Sequence, residues 1–240
     1  MLMLRVAGLE ERVTGTLERA GVIKHVHCIG SSDKHLNMFI DFEGVYDRPE
    51  FAEDVAFIID QLAEGIVQSG LDPQVLLGPA EGGNTLAEHL GPVLALRLGH
   101  PVKVLKTKKS GKLDFTIDGD ENDLKYLRTL LVDDISTSGG SAARVAKPAL
   151  RFGAEIIGLV VVADRERLTL ERLLVELGFD AQFYGCLVQV DTQSWKDKEE
   201  CDQSGPCGHG QPLVPVNSHT RAYIAEHGQP VPRIGIDLMT

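Results

Sequence analysis

The sequence predicts an α/β fold: a parallel sheet flanked by helices, with a small N-terminal hood. Three features carry this. The apolar runs Val75–Leu77, Val102–Leu105, Leu130–Val132 and Ile156–Ala163 are near-continuous rather than alternating, as in strands buried on both faces. Between them lie stretches whose apolar residues recur at helical spacing, and such strand–helix alternation is the mark of a parallel sheet. Glycines close two of the helical stretches, at Gly70 and Gly99.

In chain order, residues 4–20 read as an amphipathic helix through Leu4, Leu9, Val13, Leu17 and Ala20. Residues 22–48 mix short apolar runs with the turn Gly30-Ser31-Ser32-Asp33-Lys34, and predict short strands. Pro49 can open a helix over 50–69, with Val55, Ile58, Ile59, Leu62 and Ile66 on one face. The strand at 75–77 leads through a loop, Gly78–Gly83, into a helix over 85–98. A strand at 102–105 precedes a long polar excursion, 107–128. The strand at 130–132 is followed by a Gly-rich turn and a helix over 141–152. A strand at 156–163, a helix over 167–177 and a strand over 182–190 complete the pattern. Three segments follow: an N-terminal helix and hood (1–48), a core (49–190) and a loop-rich C-terminal extension (191–240) with one short helix near 218–227.

A chain of 240 residues can bury one good core. Its net charge of −11 argues against general nucleic-acid binding, for which a phosphate-neutralising surface is needed. No apolar run of about 18 residues occurs, so no membrane span is expected. The N-terminus does not read as a signal peptide. Four cysteines are too few for a disulfide framework, and a reducing cytoplasm is the expected compartment.

The most informative stretch is Leu130-Leu131-Val132-Asp133-Asp134-Ile135-Ser136-Thr137-Ser138-Gly139-Gly140. Ligands of open parallel sheets bind beyond the carboxyl ends of strands, where Asp133 and Asp134 lie. Three hydroxyls and two glycines before a helix suit a phosphate, held by backbone N–H groups and the helix dipole. Two carboxylates beside it suit the hydroxyls of a sugar diol. This stretch resembles the signature of type I phosphoribosyltransferases. The resemblance implies that Asp133 and Asp134 bind the ribose 2′ and 3′ hydroxyls of phosphoribosyl pyrophosphate, and hold Mg²⁺ through that substrate. It implies that Ser136, Thr137, Ser138, Gly139 and Gly140 hold the 5-phosphate.

Two further loops fit the same family. Gly78-Pro79-Ala80-Glu81-Gly82-Gly83 follows a strand, where the family exposes backbone N–H groups to pyrophosphate; Ala80, Glu81, Gly82 and Gly83 are the candidate contacts. Lys106, Lys108, Lys109 and Lys112 crowd one segment of an acidic chain. That segment resembles the basic hood loop of orotate phosphoribosyltransferases, whose lysines neutralise the leaving pyrophosphate, often across a dimer interface. With Asp134 these lysines are the candidate catalytic residues, and the resemblance implies a homodimer. One departure stands out: the orotate enzymes carry a His-Gly pair here, whereas this chain reads Ser110-Gly111-Lys112-Leu113.

Ala163-Asp164-Arg165-Glu166 is similar to the Asp-Arg-x-Glu of orotate enzymes, and implies that Arg165 pairs with the carboxylate of the base. The segment 30–41 resembles, more loosely, the turn that covers the base, with Ser32 or Lys34 at the contacting position. The implied activity is transfer of ribose 5-phosphate from phosphoribosyl pyrophosphate to a nucleobase, an orotate-like pyrimidine being favoured. The alternatives are a purine or other base, or a non-catalytic phosphoribosyl-pyrophosphate or nucleotide sensor.

Cys201, Cys207 and His209 are three potential zinc ligands within nine residues, with Cys186 a conceivable fourth. Their spacing fits no common finger, and a Gly-rich surface loop with incidental cysteines is the preferred reading.

Overall fold

The computed structural model describes residues 9–29, 34–42, 45–110, 114–119, 121–165, 170–178, 181–211 and 213–215. The chain order is α1 (Leu9–Arg19), β1 (Ile23–Lys24), β2 (Cys28–Ile29), β3 (His35–Leu36), β4 (Phe39–Ile40), α2 (Ala52–Gln68), β5 (Val75–Leu77) and α3 (Gly82–Leu98). There follow β6 (Lys103–Ser110), β7 (Asp114–Asp118), β8 (Arg128–Ser136), α4 (Gly140–Arg151), β9 (Glu155–Asp164), α5 (Leu170–Leu177), β10 (Phe183–Gln189), β11 (Ser194–Trp195), α6 (Lys198–Ser204) and β12 (Val214–Pro215). No helix among the described residues is long and apolar enough to cross a membrane.

The chain divides into two compact units. The larger comprises residues 1–20 and 42–191, the smaller residues 21–41 and 192–240. In the larger, six strands lie in the order β10-β9-β8-β5-β6-β7, all neighbours parallel except the β6–β7 hairpin. The chain passes from β5 outward to β6, then returns to the other side of β5 as β8. That reversal makes the carboxyl ends of β5 and β8 the switch point at which such sheets bind ligands.

The apolar stripe of α2 explains its packing. Val55, Ile58, Ile59, Leu62 and Ile66 recur at helical spacing and are all buried. A turn of 3-10 helix at Pro49–Phe51 precedes it, and Gly70 lies just beyond its end with φ 76°. Helix α3 ends in the same way, with left-handed Gly99 accepting the C-cap role. On the other face of the sheet, Ala142, Ala143, Val145, Ala146 and Ala149 of α4 pack with Leu131, Leu159 and Val161.

Three expected boundaries shift. Strand β8 runs on to Ser136, so Asp133 through Ser136 are strand residues, paired with β9 up to Ser136 opposite Asp164. Helix α3 begins at Gly82 rather than at Thr85, so Gly82 and Gly83 form its first turn. The excursion after residue 105 is a hairpin: Thr107 pairs with Ile117 and Lys109 with Phe115. Its inward residues alternate with lysines and acids, which hides its period in a plain reading of polarity. The expected helix near 218–227, residues 4–8 of the first helix and the turn 30–33 lie outside the described residues.

The smaller unit holds two small sheets, β1 paired with β4, and four strands in the order β11-β3-β2-β12. Each of its strands is only two residues long.

Candidate active site

At the switch point the loop after β5 folds back against β8. A Cβ on Gly82 would stand 2.0 Å from Asp134 Oδ2, and one on Gly83 would stand 2.8 Å from the Val132 carbonyl. Glycine is therefore required for this approach, and the Asp134 carboxylate lies against the first turn of α3. Thr107 of β6 fixes the loop from the other side. Its hydroxyl donates to the Gly78 carbonyl at 2.7 Å, and its backbone N–H donates to Asn84 Oδ1 at 2.9 Å. Asn84 Nδ2 returns a bond to the Thr107 carbonyl at 2.8 Å. Ala80 and Glu81, joined by a cis peptide bond, form the turn so held.

The two carboxylates stand in different surroundings. Asp133 is 8% exposed, whereas Asp134 is half-buried. Asp133 Oδ1 accepts from the Asp134 N–H at 3.0 Å, and Asp134 Oδ1 accepts from the Ile135 N–H at 2.7 Å. Burial, and then the neighbouring Asp134 charge, hold the Asp133 carboxyl well above the ordinary aspartate value.

Beyond β8, Gly139 takes a left-handed conformation (φ 83°) and leads into α4 without a side-chain cap. The Gly140 N–H donates to Ser138 Oγ at 3.4 Å, and Thr137 and exposed Ser138 lie beside this helix start, whose positive dipole end favours an anion. Ser136, expected in this loop, is instead a buried strand residue. Its carbonyl accepts from the Arg165 N–H at 2.9 Å, which sets Arg165 at the end of β9 beside the loop.

The lysines separate by strand pleat. Lys106 and Lys108 share one face of β6 and are paired with Glu88 at 2.5 Å and Asp118 at 2.8 Å. Lys109 shares the other face with Leu105 and Thr107, and has no ion-pair partner among the described residues. Lys112 lies outside the described residues.

One residue was not anticipated. Tyr46 stacks on Phe42 and on His89, at centroid distances of 6.1 and 5.3 Å. Its hydroxyl is buried with no hydrogen-bond partner among the described residues. Burial, with Asp134 and Asp133 adding negative charge, pushes its pKa well above the usual tyrosine value, so it stays a donor. No periodicity in residues 43–48 marks it.

The cysteines divide between the units. Cys186 is buried on β10 of the larger one. In the smaller unit Cys201 and Cys207 converge with His27 and His35, residues absent from the expected ligand set, while exposed His209 is not among the four. Cys201 is fully buried, against the expectation of an incidental surface cysteine.

Comparison with known proteins gives a consistent result. The model of the phosphoribosyl transferase domain matches residues 45–182. Orotate phosphoribosyltransferase of Pyrococcus horikoshii is 31% identical over 180 residues, covering 73% of this chain and 89% of that protein. The orotate phosphoribosyltransferase of Caldanaerobacter subterraneus subsp. tengcongensis is 28% identical over 212 residues, covering 87% and 97%. In fold, the chain resembles the crystal structure of orotate phosphoribosyltransferase from Aeropyrum pernix, with a TM-score of 0.56 at 22% identity, covering 74% and 93%.

Proposed function

Since the chain belongs to the phosphoribosyltransferase family, we propose that it transfers ribose 5-phosphate from phosphoribosyl pyrophosphate to orotate, releasing pyrophosphate. The observation that carries this is the juxtaposition at the end of β8: two carboxylates, then the hydroxyl- and glycine-rich start of α4. In this reading Asp133 and Asp134 accept hydrogen bonds from the ribose diol. The α4 N-terminus with Thr137, Ser138 and Gly139 holds the 5-phosphate, and the turn 80–83 faces pyrophosphate.

The hard carboxylate oxygens of Asp133 and Asp134 suit magnesium, and they are the residues that would hold it through the substrate. When bound, magnesium neutralises charge on the departing pyrophosphate. The C1–O bond breaks as positive charge develops on the ribose, and the electron pair leaves with pyrophosphate. Lys109, on the loop-facing side of β6, stabilises that leaving group.

Orotate is favoured by Arg165, whose guanidinium can hold a planar carboxylate with two parallel bonds, and by the orotate enzymes among the relatives. The test is turnover of phosphoribosyl pyrophosphate and Mg²⁺ with a panel of bases. Orotate should be consumed, and Arg165→Ala should raise the KM for orotate about 10- to 100-fold while leaving that for phosphoribosyl pyrophosphate unchanged. Turnover of a purine instead, or binding without turnover of any base, overturns the proposal.

A further inference from the structure

The smaller unit contains a four-residue cluster that phosphoribosyl transfer does not use. His27, between β1 and β2, and His35, on β3, meet Cys201 of α6 and Cys207 of the turn that follows. One ligand atom from each lies within 4.8 Å of all the others. His27, His35 and Cys201 are 2%, 4% and 0% exposed.

We propose that His27, His35, Cys201 and Cys207 bind one zinc ion in a closed, structural Cys₂His₂ site. Four of the six distances between these atoms are close to the lengths of tetrahedron edges. Zinc bonds of about 2.0–2.1 Å to nitrogen and about 2.3 Å to sulfur place two nitrogens about 3.4 Å apart, and nitrogen and sulfur about 3.6 Å apart. Here His27 Nε2 stands 3.1 Å from His35 Nδ1, 3.5 Å from Cys201 Sγ and 3.7 Å from Cys207 Sγ. Cys207 Sγ stands 3.4 Å from His35 Nδ1.

Hydrogen bonding alone accounts poorly for this convergence. The Gln211 carbonyl, 3.3 Å from His27 Nδ1, can only accept, so that nitrogen carries the hydrogen and Nε2 turns its lone pair inward. One lone pair then faces three polar atoms, where a cation at the centre would satisfy all four groups. The Cys207 N–H points to Cys201 Sγ at 3.5 Å. The loop is built tightly around that sulfur. A Cβ on Gly205 would stand 2.5 Å from the Trp195 ring and 2.9 Å from Cys201 Sγ.

Four protein ligands leave no open position, so the ion would be structural rather than catalytic. On binding, each thiol gives its proton to solvent and the two thiolates balance the dication. The site would tie residues 21–41 to residues 192–211 in a unit of two-residue strands, where a metal can replace a large core.

The test uses the full chain, purified without chelator. Elemental analysis should find about one zinc per chain, and X-ray absorption should show two sulfur and two nitrogen neighbours. Cobalt substitution should give the intense visible bands of a tetrahedral site. Cys207→Ser and His35→Ala should each lower zinc content at least several-fold, and His209→Ala should leave it unchanged. Should those variants fail to fold, the absorption spectrum of the unaltered protein still decides. Zinc far below one per chain, a Cys201–Cys207 disulfide in the intact mass, a neighbour shell without nitrogen, or loss of zinc in His209→Ala overturns the proposal.

Discussion

The Asp134 carboxylate lies against the Cα of Gly82, so close that a methyl group there would fall 2.0 Å from Asp134 Oδ2. The contact joins the start of α3 to the end of β8, and so joins the turn proposed to face pyrophosphate to the carboxylates proposed to face the ribose. Gly82→Ala should leave the core intact, because the added atom meets a side chain and not the sheet. It must displace Asp134 or the turn by about an ångström, which can cost about 100-fold in rate. Steady-state kinetics should show kcat/KM for phosphoribosyl pyrophosphate lowered by about that factor, with a near-normal melting temperature.

Asp133 makes a prediction about pH. Its folded-state pKa lies well above the ordinary aspartate value, because burial and the Asp134 charge disfavour ionisation. For a group raised in this way, the contribution to stability is full below the unfolded value and is lost as pH rises through the folded one. Each tenfold weakening of the acid costs about 1.4 kcal/mol once the group is ionised. Asp133→Asn should therefore stabilise the ligand-free protein at neutral pH, by about 2–4 °C in melting temperature per kcal/mol, with the gain vanishing at acid pH. Calorimetry should show phosphoribosyl pyrophosphate binding abolished in the same variant. In the unaltered protein, that binding should weaken as pH falls through the raised Asp133 value. A pH-independent difference in stability would contradict the reading.

Much of this was legible in the amino acids. The stripe Val55, Ile58, Ile59, Leu62 and Ile66 announces α2 by its helical period, and the run Ile156–Ala163 announces a strand buried on both faces because it is apolar without a break. The position of the acidic pair 133–134 at the carboxyl end of a parallel strand was legible too, because the apolar run Leu130–Val132 ends directly before it. The hairpin was not. Lys106, Lys108 and Lys109 fill β6 with charge, and only the pairing of Thr107 with Ile117 and Lys109 with Phe115 reveals the inner face. Nor was the continuation of β8 to Ser136 legible, because the polar residues Asp133, Asp134 and Ser136 interrupt its apolar pattern. Of the Cys₂His₂ cluster, local reading found Cys201 and Cys207 but offered His209 in place of His27 and His35. Cys201 is 174 residues from His27, and only the fold brings them together.

Tyr46 carries a cost without ligand. A buried hydroxyl with no partner forfeits about 1–3 kcal/mol of hydration, and the stack with Phe42 and His89 holds it in place. Tyr46→Phe should raise the melting temperature of the ligand-free protein by about 2–4 °C for each kcal/mol recovered. If the hydroxyl serves the site beside Asp133 and Asp134, the same variant should bind phosphoribosyl pyrophosphate several-fold more weakly. A thermal-shift series with and without that ligand measures both effects. A lower melting temperature in the free variant would show that the hydroxyl has a partner after all.

The lysines give the sharpest division, because they are alike in charge and differ only in the side of a strand. Lys106 and Lys108 are already neutralised by Glu88 and Asp118 on the outer face. Exposed pairs of this kind are worth about 0–1 kcal/mol, so Lys106→Ala and Lys108→Ala should change stability little. They should also change kcat little, since neither shares the face of Thr107, which bonds to the Gly78 turn. Lys109 does share that face, and has no acidic partner to spend its charge on among the described residues. Losing a preorganised charge on a leaving group costs about 100- to 1,000-fold in kcat. Lys109→Ala should show a loss of that order, with Lys109→Arg recovering part of it, while the KM for the base stays near its original value. Single-turnover measurements would separate the chemical step from product release. Equal losses in Lys108→Ala and Lys109→Ala would mean that the strand pleat does not decide which lysine meets pyrophosphate.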